Sequence, residues 1–600
     1  MSCSKFQRVF LALCKAGAAL FLLGLLELGG CADKQAPRGG DAGGGGGGGG
    51  SNPTPSIAFL DPNSAAAGGP DFYLTAYGSG FSSSSSIQWN GLKLSTTFVN
   101  STQVFVIVPG GYRSTSGSPT VTVFNPVPGG GTSNAMSVLV GTAPAPPQGI
   151  GVIQLVSAGP DGTPGNGNTY TPPALSADGR YVAFQSDSTN LVAGTASGFT
   201  DIYIRDTCLG APTGCAATTM RVSVANDGSL PNGNSRSPAI SANGRYVAFD
   251  SSASNLFPGS TQTNGYAHVF LRDTCIGAPA SCIPSTSLIS VASDGTQANN
   301  DSRGAAISSD GRFVAFVSSA TNLVPNDTNN GFEETFLRDT CLGAPSCIPT
   351  TTRVSVANDG SQANGPSGIA SISADARYMT FVTGATNLVP NDPKATVVLH
   401  DTCFGAATGC APSNRSLFVG YAGNSLTAGI SWWRLSANGR FSAFDAETNN
   451  LVPGGTGQIV GAFVYDDCVA APVGCIPHTD QVSLTYNGGQ PDSGSGAAVA
   501  SNDGNYVVFV SIADNLLSYA YRSSAVYVRV TCANGLAGCI PTTYLLSFDG
   551  NTGIQGNSSY SDYPAITPDG HYAVFISNAP NWPGKLQSNG NNQTWLARVY

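Results

Sequence analysis

The sequence predicts an all-β protein: a small β-sandwich followed by a seven-bladed β-propeller closed by the N-terminal strand of the repeat region. Three observations predict it. First, the segment Leu175–Phe184 returns as Ile240–Phe249, Ile307–Phe316, Ile372–Phe381, Leu435–Phe444, imperfectly as Val499–Phe509, and as Ile566–Phe575. Its closing Phe recurs in steps of 63 to 67 residues, the mark of a repeat architecture. Second, each repeat parses into four short strand-like runs with little helical periodicity, the composition of a propeller blade. Third, the repeat region opens on a run, Val152–Ser157, that matches the fourth strand (Arg221–Val224), and ends on Thr594–Tyr600, which matches the third. The last blade therefore lacks its own outer strand, and the opening run can supply it and pair two open edges.

Bulk properties agree. Six hundred residues exceed one ordinary core, so several domains or an array are expected. Only 10% of residues are charged, the net charge is −9, and the 26 Lys and Arg form no basic cluster, which argues against nucleic acid as a partner.

Taken in order, residues 1–31 carry Lys5 and Arg8, an apolar run interrupted by Lys15, and the ending Leu28-Gly-Gly-Cys31. A charged start, an apolar middle and small residues at the end describe a secretory signal. The ending resembles a bacterial lipoprotein signal, which implies lipidation of Cys31, and Ala32 after it implies the outer membrane. Residues 32–53 include eight consecutive glycines, Gly43–Gly50, and read as a flexible tether with a reach of roughly 25 Å.

Residues 54–141 hold strand-like runs at Ser56–Leu60, Phe72–Tyr77, Ser86–Trp89, Gln103–Val108, Thr120–Phe124 and Ala135–Val140, spaced as in a sandwich. The segment Leu74–Phe81, Trp89-Asn-Gly91, the run Val121–Asn125 and Ser133-Asn134 resemble the IPT/TIG immunoglobulin-like family. That resemblance implies a spacer or binding module without enzyme activity. Trp89 is expected in the core. Residues 142–151 form a Pro-rich linker.

Residues 152–600 are the predicted propeller. In the third repeat the strands are expected at Ala305–Ser308, Arg312–Val317, Glu333–Arg338 and Arg353–Val356. The turn Ser309-Asp310-Gly311 offers Gly for a positive φ. The recurring Ser-x-Asp-Gly-x-x-hydrophobic-Ala-Phe pattern resembles the TolB-like group of WD-type repeats, although only Thr567-Pro-Asp-Gly570 keeps that group's Pro. The loops here are longer, so a shared partner does not follow.

Fifteen cysteines fall as three in the first 31 residues and twelve in six close pairs. The pairs are Cys208–Cys215, Cys275–Cys282, Cys341–Cys347, Cys403–Cys410, Cys468–Cys475 and Cys532–Cys539, each between a third and a fourth strand. None has zinc-site spacing, and they read as disulfides of an oxidising compartment. Blade seven has no pair and is expected to fray first.

Asp178, Asp310, Asp375, Asp503 and Asp569 recur in the tight turns and read as structural. Asp327–Glu333 is loosely like a calcium loop, but turn chemistry is the preferred reading. His268, His400, His478 and His571 occupy non-equivalent positions, and no hydrolase elbow or zincin motif occurs. No catalytic residue, cofactor site or metal site is therefore expected.

Strand alternation puts the Asp-Gly turns and Cys loops on one face and the long Asn/Asp/Ser-rich loops on the other. The expected function is a non-catalytic, lipid-anchored envelope or cell-surface binding protein, a monomer recognising a protein or glycan through the long-loop face. A TolB-like envelope-assembly factor is the alternative. A carbohydrate-active enzyme is a third, to be marked by carboxylates and aromatics at the central channel.

Overall fold

The computed structural model describes residues 51–142, 149–194, 196–257, 265–328, 331–390, 392–417, 429–447, 451–453, 459–471, 475–518, 523–533, 538–549, 554–555, 560–580, 582 and 590–600. The expected signal segment with Cys31, the expected glycine tether up to residue 50, and most of the expected Pro-rich linker lie outside them.

Residues 56–141 form a sandwich. One sheet runs in the order Ser56–Asp61, Phe72–Ser79, Gln103–Val108, Thr96–Asn100. The other runs Met136–Ser137, Thr120–Asn125, Ser86–Trp89, Leu92–Lys93, with Gly131–Thr132 paired to Thr120–Asn125. Inward side chains such as Leu74, Ala76, Ile87, Val104 and Val123 are fully buried between them. Trp89 lies in this core, edge-on to Phe72 with ring centroids 6.2 Å apart. Sequence reading missed the strand Thr96–Asn100, whose residues are largely exposed and show no inward apolar face. It also missed Arg113, buried in the sandwich wall. Its guanidinium donates to the Ala66 and Pro70 carbonyls and lies 4.7 Å from the Phe72 ring centre, acting as a strut for loop 66–71.

The described residues of 153–600 fold into seven four-stranded antiparallel sheets and a two-stranded ribbon, Phe548–Asp549 with Ile554–Gln555. Sheet one comprises Ala174–Leu175, Tyr181–Ser186, Asp201–Asp206 and Thr218–Arg221. Sheets two to six repeat the plan with second strands Tyr246–Ser251, Phe313–Ser318, Tyr378–Thr383, Phe441–Ala446 and Tyr506–Ser511. Sheet seven is Ser561–Ile566, Tyr572–Ser577, Gln593–Arg598 and, as its fourth strand, Ile153–Leu155 from the start of the region.

The recurring Phe residues 184, 249, 316, 381, 444, 509 and 575 are all fully buried, which is why the sequence repeats them. Most stack on a third-strand ring, as Phe316 does on Phe336 at 5.7 Å. Seven apolar clusters each join one sheet to the next, and one of them joins sheet seven to sheet one through Val156, Val182, Phe184, Val574 and Leu596.

The fourth strands end earlier than expected. In sheet three the ladder is Thr350–Arg353, not Arg353–Val356. Beyond it Val354 N still donates to Thr335 O, but the Ser355 hydroxyl takes over from the backbone as acceptor for Thr335 N at 3.1 Å. The same pattern ends the shared strand: Val156 N donates to Thr594 O, and Ser157 Oγ accepts from Thr594 N at 3.0 Å. Segments separated by the whole array thus reproduce the bonding found within single repeats.

The tight turns are held as the residue types demand. Asp178 Oδ1 accepts from Ser176 Oγ at 2.6 Å and Arg180 N at 3.0 Å, with Gly179 at φ 75°. Asp310, Asp375, Asp503 and Asp569 do the same. Sequence reading missed the next link. The arginine after the turn reaches the aspartate that ends the third strand, in Arg180–Asp206, Arg245–Asp273, Arg312–Asp339, Arg377–Asp401 and Arg440–Asp466. That aspartate also accepts the amide of the first cysteine, which sits in the left-handed region in all six pairs.

All six predicted disulfides are formed, with Cα atoms 5.4–5.8 Å apart. They mark an exported or extracellular protein. No helix among the described residues is long and apolar enough to cross a membrane.

Candidate ligand cavity

The outer face of the first sandwich sheet packs against the fourth strand of sheet five, His478–Gln481. Phe59 and His478 ring centroids are 5.5 Å apart, and Tyr77 and His478 6.0 Å. A cavity of about 740 Å³ remains between the sandwich and sheets five and six. This is the size range of small-ligand pockets, which favour domain junctions. The sandwich contributes Asp61, Tyr73, Tyr77 and Gln103; the sheets contribute Tyr465, His478, Asp480, Gln490 and Arg529.

A break in the repeat builds this wall. Arg205, Arg272, Arg338 and Arg529 occupy one equivalent third-strand position, just before the strand's last residue. Each guanidinium donates to a threonine on the neighbouring strand, at 2.8–3.1 Å for Thr219, Thr286, Thr351 and Thr543. In sheet five the register pairs Tyr465 with Thr479 instead. Thr479 lies on the cavity wall, is 9% exposed, and its Oγ1 has no hydrogen-bond partner among the described residues.

Two acids of the cavity lining meet, Asp61 from the sandwich and Asp480 from sheet five. Burial, then the Asp480 charge and a hydrogen bond to it, hold the Asp61 carboxyl well above the usual carboxylate range. Burial, followed by Asp61 and Asp480, likewise raises the Tyr77 phenol. His478 hydrogen-bonds Ile476 O through Nδ1 at 2.9 Å and brings Nε2 to 3.6 Å from Asp480. Arg529 donates to Thr485 O and Thr543 Oγ1, and burial lowers its pKa to about 10. The result is an aromatic-walled pocket with carboxylate and amide acceptors, suited to holding hydroxyl or amine groups.

The other residues singled out from sequence are held in structural bonds. His268 is buried between Ser290 and Gln297, and burial lowers its pKa to about 4. His400 is buried against Asn414, and His571 pairs with Asp569 at 2.9 Å. Each Asp-Cys-Cys grouping at the stapled loops has both sulfurs tied in a disulfide and its aspartate tied to an arginine, so no thiolate is available to a metal. In the calcium-like loop, Asp327 pairs with Arg353 at 2.7 Å, and residues 329–330 lie outside the described set.

The long polar loops are bonded to one another. Asn232 N donates to Asn255 Oδ1, and Ser254 N donates back to Asn232 Oδ1; the pattern recurs at Asn166–Asn190, Asn299–Asn322, Asn364–Asn387 and Asp492–Asn515. Much of the Asn-rich signal is therefore a zipper between two loops.

Carboxylates and aromatics do gather at the first strands. The Trp432 and Tyr563 rings are 5.9 Å apart, and Asp562 is pushed up to about 6 by burial and by Asp445. Asp445, however, accepts from Ser431 N, Ser431 Oγ, Trp432 N and Ala497 N, clasping sheets five and six. Gly496 permits this approach, since a Cβ there would lie 2.7 Å from Asp445 Oδ2.

Comparison with solved structures finds distant likenesses. An auxiliary nutrient binding protein from Bacteroides ovatus is 9% identical, with TM-score 0.28, over 91% of this chain and 97% of that one. An α-L-arabinofuranosidase from Lactobacillus brevis is 10% identical, with TM-score 0.22, over 60% and 89%. A rhamnogalacturonan lyase from Bacillus licheniformis is 12% identical, with TM-score 0.26, over 91% and 90%. No curated protein matches the chain. The IPT/TIG domain family matches residues 55–140, and that segment of the sandwich is an IPT/TIG domain.

Proposed function

We propose that this is an exported, non-catalytic glycan-binding protein whose ligand sits between the IPT/TIG domain and sheet five. The cavity carries the reading: it is walled by aromatic rings and lined by carboxylate and amide groups, the chemistry that recognises a sugar's C–H faces and hydroxyls. The long-loop face is a weaker candidate because its asparagines already bond one another. A non-catalytic role is supported by Asp445, whose carboxylate is occupied by backbone and serine donors.

In this reading residues 152–600 close as a seven-bladed propeller of the TolB-like kind. The sharing of Ile153–Leu155 with sheet seven and the apolar cluster joining sheets seven and one support it. Cys31 anchors the chain in the outer membrane by its lipid. The partner is then an envelope or extracellular glycan, bound by a monomer.

Isothermal titration of residues 51–600 against a glycan library tests the proposal. Binding should occur at one site per chain and be lost on Tyr77→Ala, with the library returned unhydrolysed. Binding that survives Tyr77→Ala, or release of shortened glycans, would refute it.

A further inference from the structure

We propose that the glycan is an amino sugar with a free, protonated amine, seated between Asp61 and Asp480. This rests on the glycan-binding reading above and adds the chemical class.

In four sheets a guanidinium stands at the position of Tyr465 and donates to the paired threonine. Sheet five alone has both lost that arginine to a tyrosine and kept the threonine, and Thr479 Oγ1 is left buried without a donor. On the same cavity wall the chain places Asp480, and the IPT/TIG domain brings Asp61 toward it. Two carboxylates that meet across an interface repel unless a proton or another cation lies between them. An ammonium group satisfies both acids, and the rings of Tyr77 and Tyr465 line the same cavity. An N-acetylated sugar offers an amide in place of the charge, so Asp61 keeps its proton in the hydrogen bond to Asp480 and gains no charge-assisted partner.

The groups facing this pair are Tyr77 on the IPT/TIG side and His478, Tyr465 and Arg529 on the other. Arg529 is turned to Thr485 and Thr543, and His478 Nε2 lies 3.6 Å from Asp480, so the incoming ammonium displaces the proton between the acids and shares Asp480 with His478.

The test is calorimetric titration of residues 51–600 with a panel of amino-sugar oligosaccharides, each beside its N-acetylated twin. At least one free-amine member should bind about tenfold or more tightly than its twin, the loss expected when a charge-assisted bond is removed. Asp61→Asn and Asp480→Asn should each erase that preference. Tyr465→Arg should abolish binding while keeping the far-ultraviolet circular dichroism spectrum, because it restores the repeat's own cation beside Thr479. Equal affinity for the twins, or a preference that survives Asp61→Asn, overturns the amine assignment and leaves glycan binding standing. Absence of binding by every free-amine member while a neutral glycan binds does the same. Silence across neutral and amino sugars alike sinks both readings.

Discussion

Replacing Ser157 with Ala asks whether the two ends of the array truly share one sheet. Ser157 is fully buried; its Oγ accepts from Thr594 N at 3.0 Å and donates to Gln593 Oε1 at 2.6 Å, across 437 and 436 residues of chain. Alanine leaves the Thr594 N–H buried without this acceptor, at a cost of about 1–3 kcal/mol. At about 1.4 kcal/mol per factor of ten, local opening of Thr594 becomes roughly 5- to 150-fold more frequent. Sheet two offers an internal control. Ser290 Oγ accepts from Val269 N at 3.1 Å within one repeat, so Ser290→Ala should cost a similar amount there. Native-state hydrogen exchange read at Thr594 and Val269 measures both. If Ser290→Ala speeds exchange at Val269 but Ser157→Ala leaves Thr594 unchanged, the opening strand does not complete the last sheet.

Other consequences follow from single contacts. Asp445→Ala should lower stability by about 2–3 kcal/mol through the orphaned amides of Trp432 and Ala497, measurable by urea denaturation, and should leave glycan affinity unchanged. Reductant should raise exchange in the six stapled hairpins, each closed by a bond worth roughly 2–3 kcal/mol in the chain-entropy model, and leave sheet seven as it was. Equal sensitivity in all seven would discredit that view. Asp61→Asn should stabilise the ligand-free protein as pH rises. The folded-state pKa of Asp61 lies above its unfolded value, so its contribution is fully present below about pH 4 and is lost as pH climbs through the folded value. The wild type should therefore weaken relative to the variant toward neutral and higher pH, and parallel urea midpoints across that range would contradict the buried acid pair.

What could be read from sequence followed from what repeats. The Phe at position 184 and its six equivalents, the Asp-Gly turns and the paired cysteines each perform one local task in nearly every sheet, so recurrence exposes them. The strand that the start of the region lends to sheet seven was legible because Val156-Ser157 copies Val222-Ser223. The Arg180–Asp206 link and its equivalents were missed although they also recur, because the partners are 26 residues apart and each is unremarkable alone. The asparagine loops read as a binding face because sequence shows polar groups without showing which of them face each other. The cavity was hidden for the opposite reason. It depends on departures from the repeat, Tyr465 for arginine and Asp480 on the outer strand, and on the docking of a domain some four hundred residues earlier in the chain. Tyr465 was the available signal, visible once the third strands are aligned on Arg205, Arg272, Arg338 and Arg529.

The most direct measurement is a hydrogen-exchange footprint of residues 51–600 with and without the best-binding glycan. New protection is expected at 57–61, 72–77 and 476–481, the segments that enclose the cavity. Protection confined to the asparagine loops around 229–234 and 357–364 would place the ligand on the other surface and contradict the cavity reading.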